Sequence, residues 1–469
     1  MSDADGADQA EAALRALENA RVERERLGEL GRWSEADEVA LSTLRDVLSV
    51  ASPDIIGPDL GGLVYVAGSP RKGSHARARH GVPVPAERLT ATCAMLLANR
   101  GRDPESVVEM ATKALASFNW RDVGTLWYSV LSLAYADEGE AARRFLDHAM
   151  ARSGWAASTA IPALRARVAG LGGAPATAVQ ILEDLVAPGS QDQFTEVAVA
   201  WSVEALVDLG DLDRADDLLR KHGFNHSLDR VTDTAEVLAA RGALHHAAGR
   251  TQLAYEDFTA CGRELARWGV VNPAIIPWRS QAALCAAAMG REALALSLTQ
   301  EELAHARRWG TPRAIGTALR AASLVSMGDQ RLAGMREAVG LLARSGAKGT
   351  LIRAQYELGV RSILEGQHED GCAALRDARE TAGSVGNQVW TGRVDDALGH
   401  WAGIAEQDRR LTPQERKIAN LARAGLSNKE IAGRAGVSSS TVEFHLSNVY
   451  RKLEVSGRSG LRSIMVAVL

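Results

Sequence analysis

A glycine-centred break recurs along most of this chain and limits what it can fold into. The glycines are Gly101, Gly139, Gly173, Gly210, Gly249, Gly290, Gly328 and Gly366, spaced 38, 34, 37, 39, 41, 38 and 38 residues apart. Most precede a polar or acidic residue and then an alanine-rich stretch of helical period, as in Gly210-Asp211-Leu212-Asp213-Arg214-Ala215. A period of roughly 38 belongs to stacked helical hairpins of the tetratricopeptide kind, slightly long for the standard repeat. In such a hairpin the glycine ends one helix in the left-handed conformation. Alanines let the paired helices approach closely. One hairpin cannot bury its own apolar face, so the repeats must stack into a continuous core. Strand-like segments are nearly absent. The expected fold class is all-α: a tetratricopeptide-like hairpin solenoid over residues 89–404, then a small helical domain after a linker at 405–410.

The start of the chain differs. Residues 1–50 are expected as an N-terminal helical segment, charged from Glu11 to Val50, and 51–88 as a Gly/Pro-rich loop with a basic run of Arg71, Lys72, Arg77 and Arg79. A solvated loop is the reading for that composition. Gly68-Ser69-Pro70-Arg71-Lys72-Gly73-Ser74-His75 has the glycine spacing of a phosphate loop. Ser74 stands where the phosphate-reaching lysine belongs, and no parallel sheet follows, so no nucleotide cofactor is expected.

Cys93, Cys261, Cys285 and Cys372 are far apart and without paired spacing, which reads as buried thiols and not as disulfides or a metal site. The acidic, polar N-terminus and the lack of an 18-residue apolar run predict a cytoplasmic protein without a membrane span. Of the tryptophans, Trp120, Trp127, Trp155, Trp201, Trp268, Trp278, Trp309, Trp390 and Trp401 are spread through the array. Packing between hairpins is the ordinary role for each. Pro273 and Pro277 fix an irregular turn, so Trp278 and Arg279 are the candidate ligand or partner surface.

Residues 411–469 carry the clearest signals. Thr412 is a helix cap, Pro413 suits the first turn, and Glu415 closes a capping box. Ser427-Asn428-Lys429-Glu430 is a second box. Ala424-Gly425 stops the first helix, and Gly436-Val437-Ser438 turns into a third helix from about Ser439 to Leu453. There Val442, Leu446, Val449 and Leu453 share one stripe, while Ser440, Phe444, Ser447, Asn448 and Arg451 face the other way, with Glu443 on the shoulder. A short helix with an apolar back and a polar front suits a DNA major groove. The segment holds nine Lys and Arg against four Glu, whereas the whole chain is −4. A basic tail on an acidic body is the distribution expected if only the tail meets phosphates.

This segment resembles the LuxR-type helix-turn-helix family. The resemblance rests on Leu411-Thr412, Glu415, Ala424-Gly425-Leu426-Ser427-Asn428-Lys429-Glu430-Ile431-Ala432, Val437-Ser438, Thr441-Val442-Glu443-Phe444-His445-Leu446, Lys452-Leu453, Val455, Arg458 and Leu461. It implies a four-helix domain that binds DNA as a dimer, with the last helix, about Arg458 to Leu469, supplying the dimer contact. It also implies base-facing roles for Glu443, Phe444 and Ser447, and a structural His445. Ala435 departs from the large apolar residue usual there. A wider resemblance, on Trp268 to Ser280, Ala306 to Ala314 and Glu443 to Leu453, is to the C-terminal half of the large ATP-binding LuxR-type regulators of actinobacteria. Their nucleotide-binding module has no room in this chain, so no ATPase is expected.

The expected protein is a DNA-binding transcriptional regulator, an activator by resemblance, bound as a homodimer to a near-palindromic promoter site in double-stranded DNA. Base-facing candidates are Glu443, Phe444, Ser447 and Asn448. Phosphate-facing candidates are Asn428, Lys429, Ser440, Thr441, Arg451 and Lys452. The repeats would serve as sensor or interaction platform, with RNA polymerase as a further partner and an effector of unknown identity. No catalytic constellation, cofactor or metal is expected. Two rivals remain at this level: a nucleotide-dependent switch regulator, and a repeat scaffold whose terminal domain binds protein.

Overall fold

The computed structural model describes residues 86–466 except 117–122, 152–158, 188–193, 227, 229–230, 232, 327–329, 409–410, 424 and 454. The expectations for residues 1–50, for 51–85 of the loop read at 51–88, with the segment at Gly68, and for Trp120, Trp155 and Gly328 lie outside them; Ala86, Glu87 and Arg88, read as the end of that loop, open a helix instead. Every regular element among the described residues is a helix. In chain order they are α1 (Ala86–Arg100), α2 (Pro104–Ala116), α3 (Val123–Tyr135), α4 (Gly139–Met150), α5 (Ala160–Leu171), α6 (Pro175–Leu182) and α7 (Thr195–Asp208). Next come α8 (Leu212–Lys221), α9 (Thr234–Ala247), α10 (Thr251–Arg267), α11 (Trp278–Ala288), α12 (Glu292–Trp309), α13 (Pro312–Val325) and α14 (Gln330–Arg344). The last are α15 (Lys348–Leu364), α16 (His368–Ser384), α17 (Gln388–Asp408), α18 (Pro413–Arg423), α19 (Asn428–Ala435), α20 (Ser439–Lys452) and α21 (Gly457–Val466). None is long and apolar enough to cross a membrane.

The chain forms two compact units. One holds residues up to Ser326 with Arg344–Ala347; the other holds Met327–Ala343 and Lys348 onward. The even repeat had suggested one array from 89 to 404, but the break between units falls inside it. Residues 405–408, read as linker, are the last turn of α17.

Helices pair as hairpins, α1 with α2, α9 with α10, α11 with α12, and α15 with α16. The breaks work as expected: Gly101, Gly173, Gly210, Gly249, Gly290 and Gly366 all have φ between 61° and 87°. Around Gly210 the Asp211 N–H reaches back to Leu206 O at 2.9 Å, closing the wider loop of a Schellman end. Gly139 is an exception, being the first residue of α4. Asp137 takes the left-handed backbone there, with φ 67°. Its carboxylate accepts from Arg313 Nε (3.0 Å) and the Arg313 N–H (2.8 Å), contacts that hold a conformation most side chains avoid. In the second unit, α15 and α16 cross at Gly359 and Gly371. A Cβ on Gly371 would lie 2.7 Å from Gly359 O, so only glycine fits.

The core of the first unit is mostly Ala, Leu and Val, with a stack of aromatic rings within it. Trp127 stacks on Phe194 at 4.5 Å and on Trp201 at 5.9 Å. The irregular segment between α10 and α11 enters this core: Val270, Ala274, Ile275 and Ile276 are buried. Its backbone is held by Asn99 O, which accepts from Val271 N (2.9 Å), and by Arg313 Nη1, which donates to Ala274 O (3.1 Å). Trp278 packs so closely on α10 that a Cβ on Gly262 would meet its ring at 2.5 Å. Arg279 lies 4.5 Å over the Trp278 ring and pairs with Glu301 at 2.9 Å. The pair proposed as a ligand surface is therefore engaged in joining α10, α11 and α12.

Candidate nucleic-acid interface

The last four helices enclose a small core of their own. Ile418, Ala419 and Ala422 from α18, Ile431 and Ala432 from α19, and Val442, Leu446 and Val449 from α20 meet Leu411, Leu453 and Leu461. Ala435 is half-buried against it.

Local chemistry places each helix start. The Thr412 N–H donates to Glu415 Oε2 (2.8 Å) and the Glu415 N–H to Thr412 Oγ1 (3.3 Å), a reciprocal capping box. Ser427 and Glu430 repeat it at 2.7 and 3.4 Å. Bonds from the Ser427 side chain and then its N–H hold the Glu430 carboxyl below the usual range. Gly436 ends α19 with φ 69°, and Ser438 caps α20 by accepting from Thr441 N at 3.1 Å.

The outward face of α20 then follows from its period. Glu443, Phe444, Ser447 and Arg451 are exposed, and Asn448 is half-buried. Phe444 is 65% exposed, above the other large exposed apolar side chains described, which lie between 40% and 50%. Its ring stands roughly perpendicular to that of His445, centroids 5.8 Å apart. Lys429 and Ser440 are exposed, and Thr441 is half-buried. Ser438 Oγ lies 2.8 Å from Ser440 Oγ and 2.7 Å from Thr441 Oγ1, so three hydroxyls gather at the start of α20. A helix start of this kind attracts phosphate through its N–H groups and dipole.

Besides the Ser440 and Thr441 hydroxyls, three residues expected to meet phosphates have internal partners: Lys452, Asn428, and Arg451, whose Nη2 donates to Asn448 Oδ1 at 3.4 Å. Lys452 Nζ donates to Glu415 Oε2 at 2.6 Å, and Glu415 is buried. Burial pushes the Glu415 carboxyl up, but bonds from Lys452 and Thr412 outweigh it and hold the carboxyl below its usual range. Lys452 thus ties α20 to α18. Asn428 uses both ends of its amide: Nδ2 donates to Glu443 Oε1 (3.3 Å) and Oδ1 accepts from Arg458 Nη2 (2.9 Å). The sequence identified Glu415 as a cap but gave no sign of its partner 37 residues on. In the sequence, Arg458 is marked only by the family resemblance. Its position beside Gly457, at the start of a helix, was the available signal. Within the second unit, Asn420 of α18 also meets His368 Nε2 of α16 at 3.3 Å.

Comparison with known proteins agrees with this geometry. Residues 409–465 match the family described as bacterial regulatory proteins, luxR family. Over 84 residues the chain is 39% identical to the transcriptional regulatory protein MctR of Rhizobium johnstonii, covering 18% of this chain and 38% of that one. Over 53 residues it is 47% identical to the monoamine regulon transcriptional regulator of Klebsiella aerogenes, covering 11% and 23%. The chain therefore spans less than half the length of these relatives. Among solved structures, a Rap protein complexed with competence and sporulation factor aligns over 71% of this chain and 99% of its own, at 12% identity and a TM-score of 0.46. The segment from 409 to 465 is a helix-turn-helix domain of the luxR family, carried at the end of a run of helical hairpins.

Proposed function

We propose that this chain is a sequence-specific DNA-binding transcriptional regulator that acts by binding alone, without catalysis. Two copies insert α20 into successive major-groove faces of a near-palindromic site, with half-sites about one turn apart. Glu443, Phe444 and Ser447 face base edges, while Lys429, Ser440, Thr441 and Arg451 face phosphates. The helical hairpins sense an effector or recruit the transcription machinery, and the role is activation.

The observation that carries this reading is the two-sidedness of α20. Its back is locked into a core by Val442, Leu446 and Val449, while its front leaves Phe444 exposed among polar groups. A phenyl ring held out in this way suits contact with a thymine methyl. The test is a gel shift of the purified chain against duplex from the upstream region of its own gene cluster. Retention of that fragment over random duplex supports the reading; equal retention, or none, overturns it.

A further inference from the structure

The amide of Asn428 joins three helices of the terminal domain, and its chemistry permits only one orientation. Arg458 can only donate, so the atom it meets at 2.9 Å must be the amide oxygen. The amide nitrogen then points to Glu443 Oε1 at 3.3 Å, and a carboxylate can only accept. The order is fixed from α21 through α19 to α20: guanidinium, amide, carboxylate. A second choice of amide rotamer would set two donors, or two acceptors, against each other.

This order has a consequence for Glu443, which is exposed at the front of α20. One carboxylate oxygen is occupied by Asn428, and the other is left for a duplex. We infer that Arg458 and Asn428 are specificity-positioning residues: through Glu443 they present a single hydrogen-bond acceptor to the major groove. The inference rests on the DNA-binding reading above and deepens it. In the major groove, cytosine offers its N4 amino group to such an acceptor. Guanine presents only acceptors there, thymine an acceptor and a methyl, and adenine sets the N7 lone pair beside its amino group. One cytosine per half-site is therefore selected at this position. Arg458 touches no base. It acts by holding Asn428.

The same chain of bonds makes an inverted prediction. In Glu443→Gln the side-chain oxygen stays with the Asn428 amide nitrogen, so the new NH2 faces the groove. The preference at that position then moves from cytosine to an acceptor edge, guanine or thymine. Adding Asn428→Asp reverses the bond: the new carboxylate accepts from the Gln NH2, and the Gln oxygen turns to the groove. The double variant then prefers cytosine again.

The experiment selects bound duplexes from a pool with a randomised core, using the full chain as wild type, R458M, E443Q and N428D/E443Q. The helical signal of each variant is recorded beforehand. The wild type enriches cytosine at one symmetric position per half-site. R458M loses that enrichment by roughly tenfold while other positions keep theirs, because a well-placed base contact discriminates by about that factor. Its affinity for random duplex falls by no more than about threefold, the effect of one cation near phosphates. E443Q and the double variant switch and switch back. A pool from R458M identical to the wild type overturns the relay, as does a uniform loss at every position. So does the absence of the switch in folded E443Q and N428D/E443Q, which keeps the test valid if R458M fails to fold. A wild-type pool without any enrichment overturns the DNA-binding reading itself, and the relay with it.

Discussion

Glu236 and Glu302 in the helical hairpins and Glu415 in the terminal domain are all buried carboxyls, and their surroundings push them in opposite directions. Glu302 lies on α12 with no exposed surface, and burial raises it to about 7. The Ser280 N–H at 3.2 Å and Arg279 at 3.8 Å offset only part of that. Glu236 on α9 is raised as well, by burial first, although Arg167 lies near. Arg167 is engaged by Glu204 at 2.8 Å and sits 5.1 Å over the Trp201 ring. Glu415 is held low because Lys452 and Thr412 donate to it directly. Donors aimed directly at a carboxylate can outweigh burial and hold it charged; a cation farther off, shared with other partners, offsets only part of the burial. The hairpins thus leave Glu236 and Glu302 short of donors, although they pair Asp257 directly with Arg241 and hold it low, whereas the terminal domain pairs Glu415 in the same direct way.

The largest expected effect breaks the interior arrangement. Arg167→Met leaves Glu204 and the fully buried Glu236 without their guanidinium. Thermal or urea unfolding of the full chain should show a loss of about 3–5 kcal/mol, the usual result of removing one partner of a buried pair. A loss below about 1 kcal/mol would mean the cluster contributes little to the fold.

Next comes a paired comparison on α20. Leu446→Ala hollows the terminal core and should cost about 2–5 kcal/mol of that domain's stability. Phe444→Ala should leave stability within about 0.5 kcal/mol and weaken specific duplex binding by roughly tenfold. If both changes alter stability alike, the face holding Phe444 is structural.

The pH dependence should separate the two regions. Glu302 binds a proton more tightly in the folded chain than in the unfolded one. Its contribution is fully present below about pH 4.5, shrinks as pH rises, and is gone above about 7, a span worth up to about 3 kcal/mol. Glu302→Gln should remove that decline from melting curves recorded across this window. Glu415 has the opposite sign. Its contribution is present above its unfolded value and is lost as pH falls through its lowered folded one. Lys452→Met should therefore cost about 1 kcal/mol at pH 7 and less in acid, with the salt dependence of DNA binding unchanged. A flatter salt dependence for that variant would return Lys452 to the phosphate contacts.

Much of the fold was legible because its signals are local. Left-handed glycines, capping boxes and a 3.6-residue stripe each depend on a few neighbouring residues. What was hidden depends on residues far apart in sequence. Asp137 replaces Gly139 as the left-handed residue because Arg313, 176 positions away, clamps its carboxylate. Lys452, a phosphate candidate by its place on the helix, donates to the buried Glu415, a partner the sequence does not reveal. Trp278 and Arg279 stood out as an aromatic–cation pair, but the pattern did not say that they would stack on each other. The boundary near Ser326 was hidden because the repeat period continues across it. The outward set on α20 was readable because one helical period decides which side chains the core excludes.

On the reading proposed here, the front of α20 meets a DNA groove. The most direct test of that contact is the affinity of the full chain for labelled upstream duplex, measured between about 50 and 200 mM salt. Binding should fall steeply with salt, with a slope shallower by about one in Arg451→Ala, and an unchanged slope with weaker binding in Phe444→Ala. No binding at the lowest salt, or two variants indistinguishable from wild type, would contradict that reading.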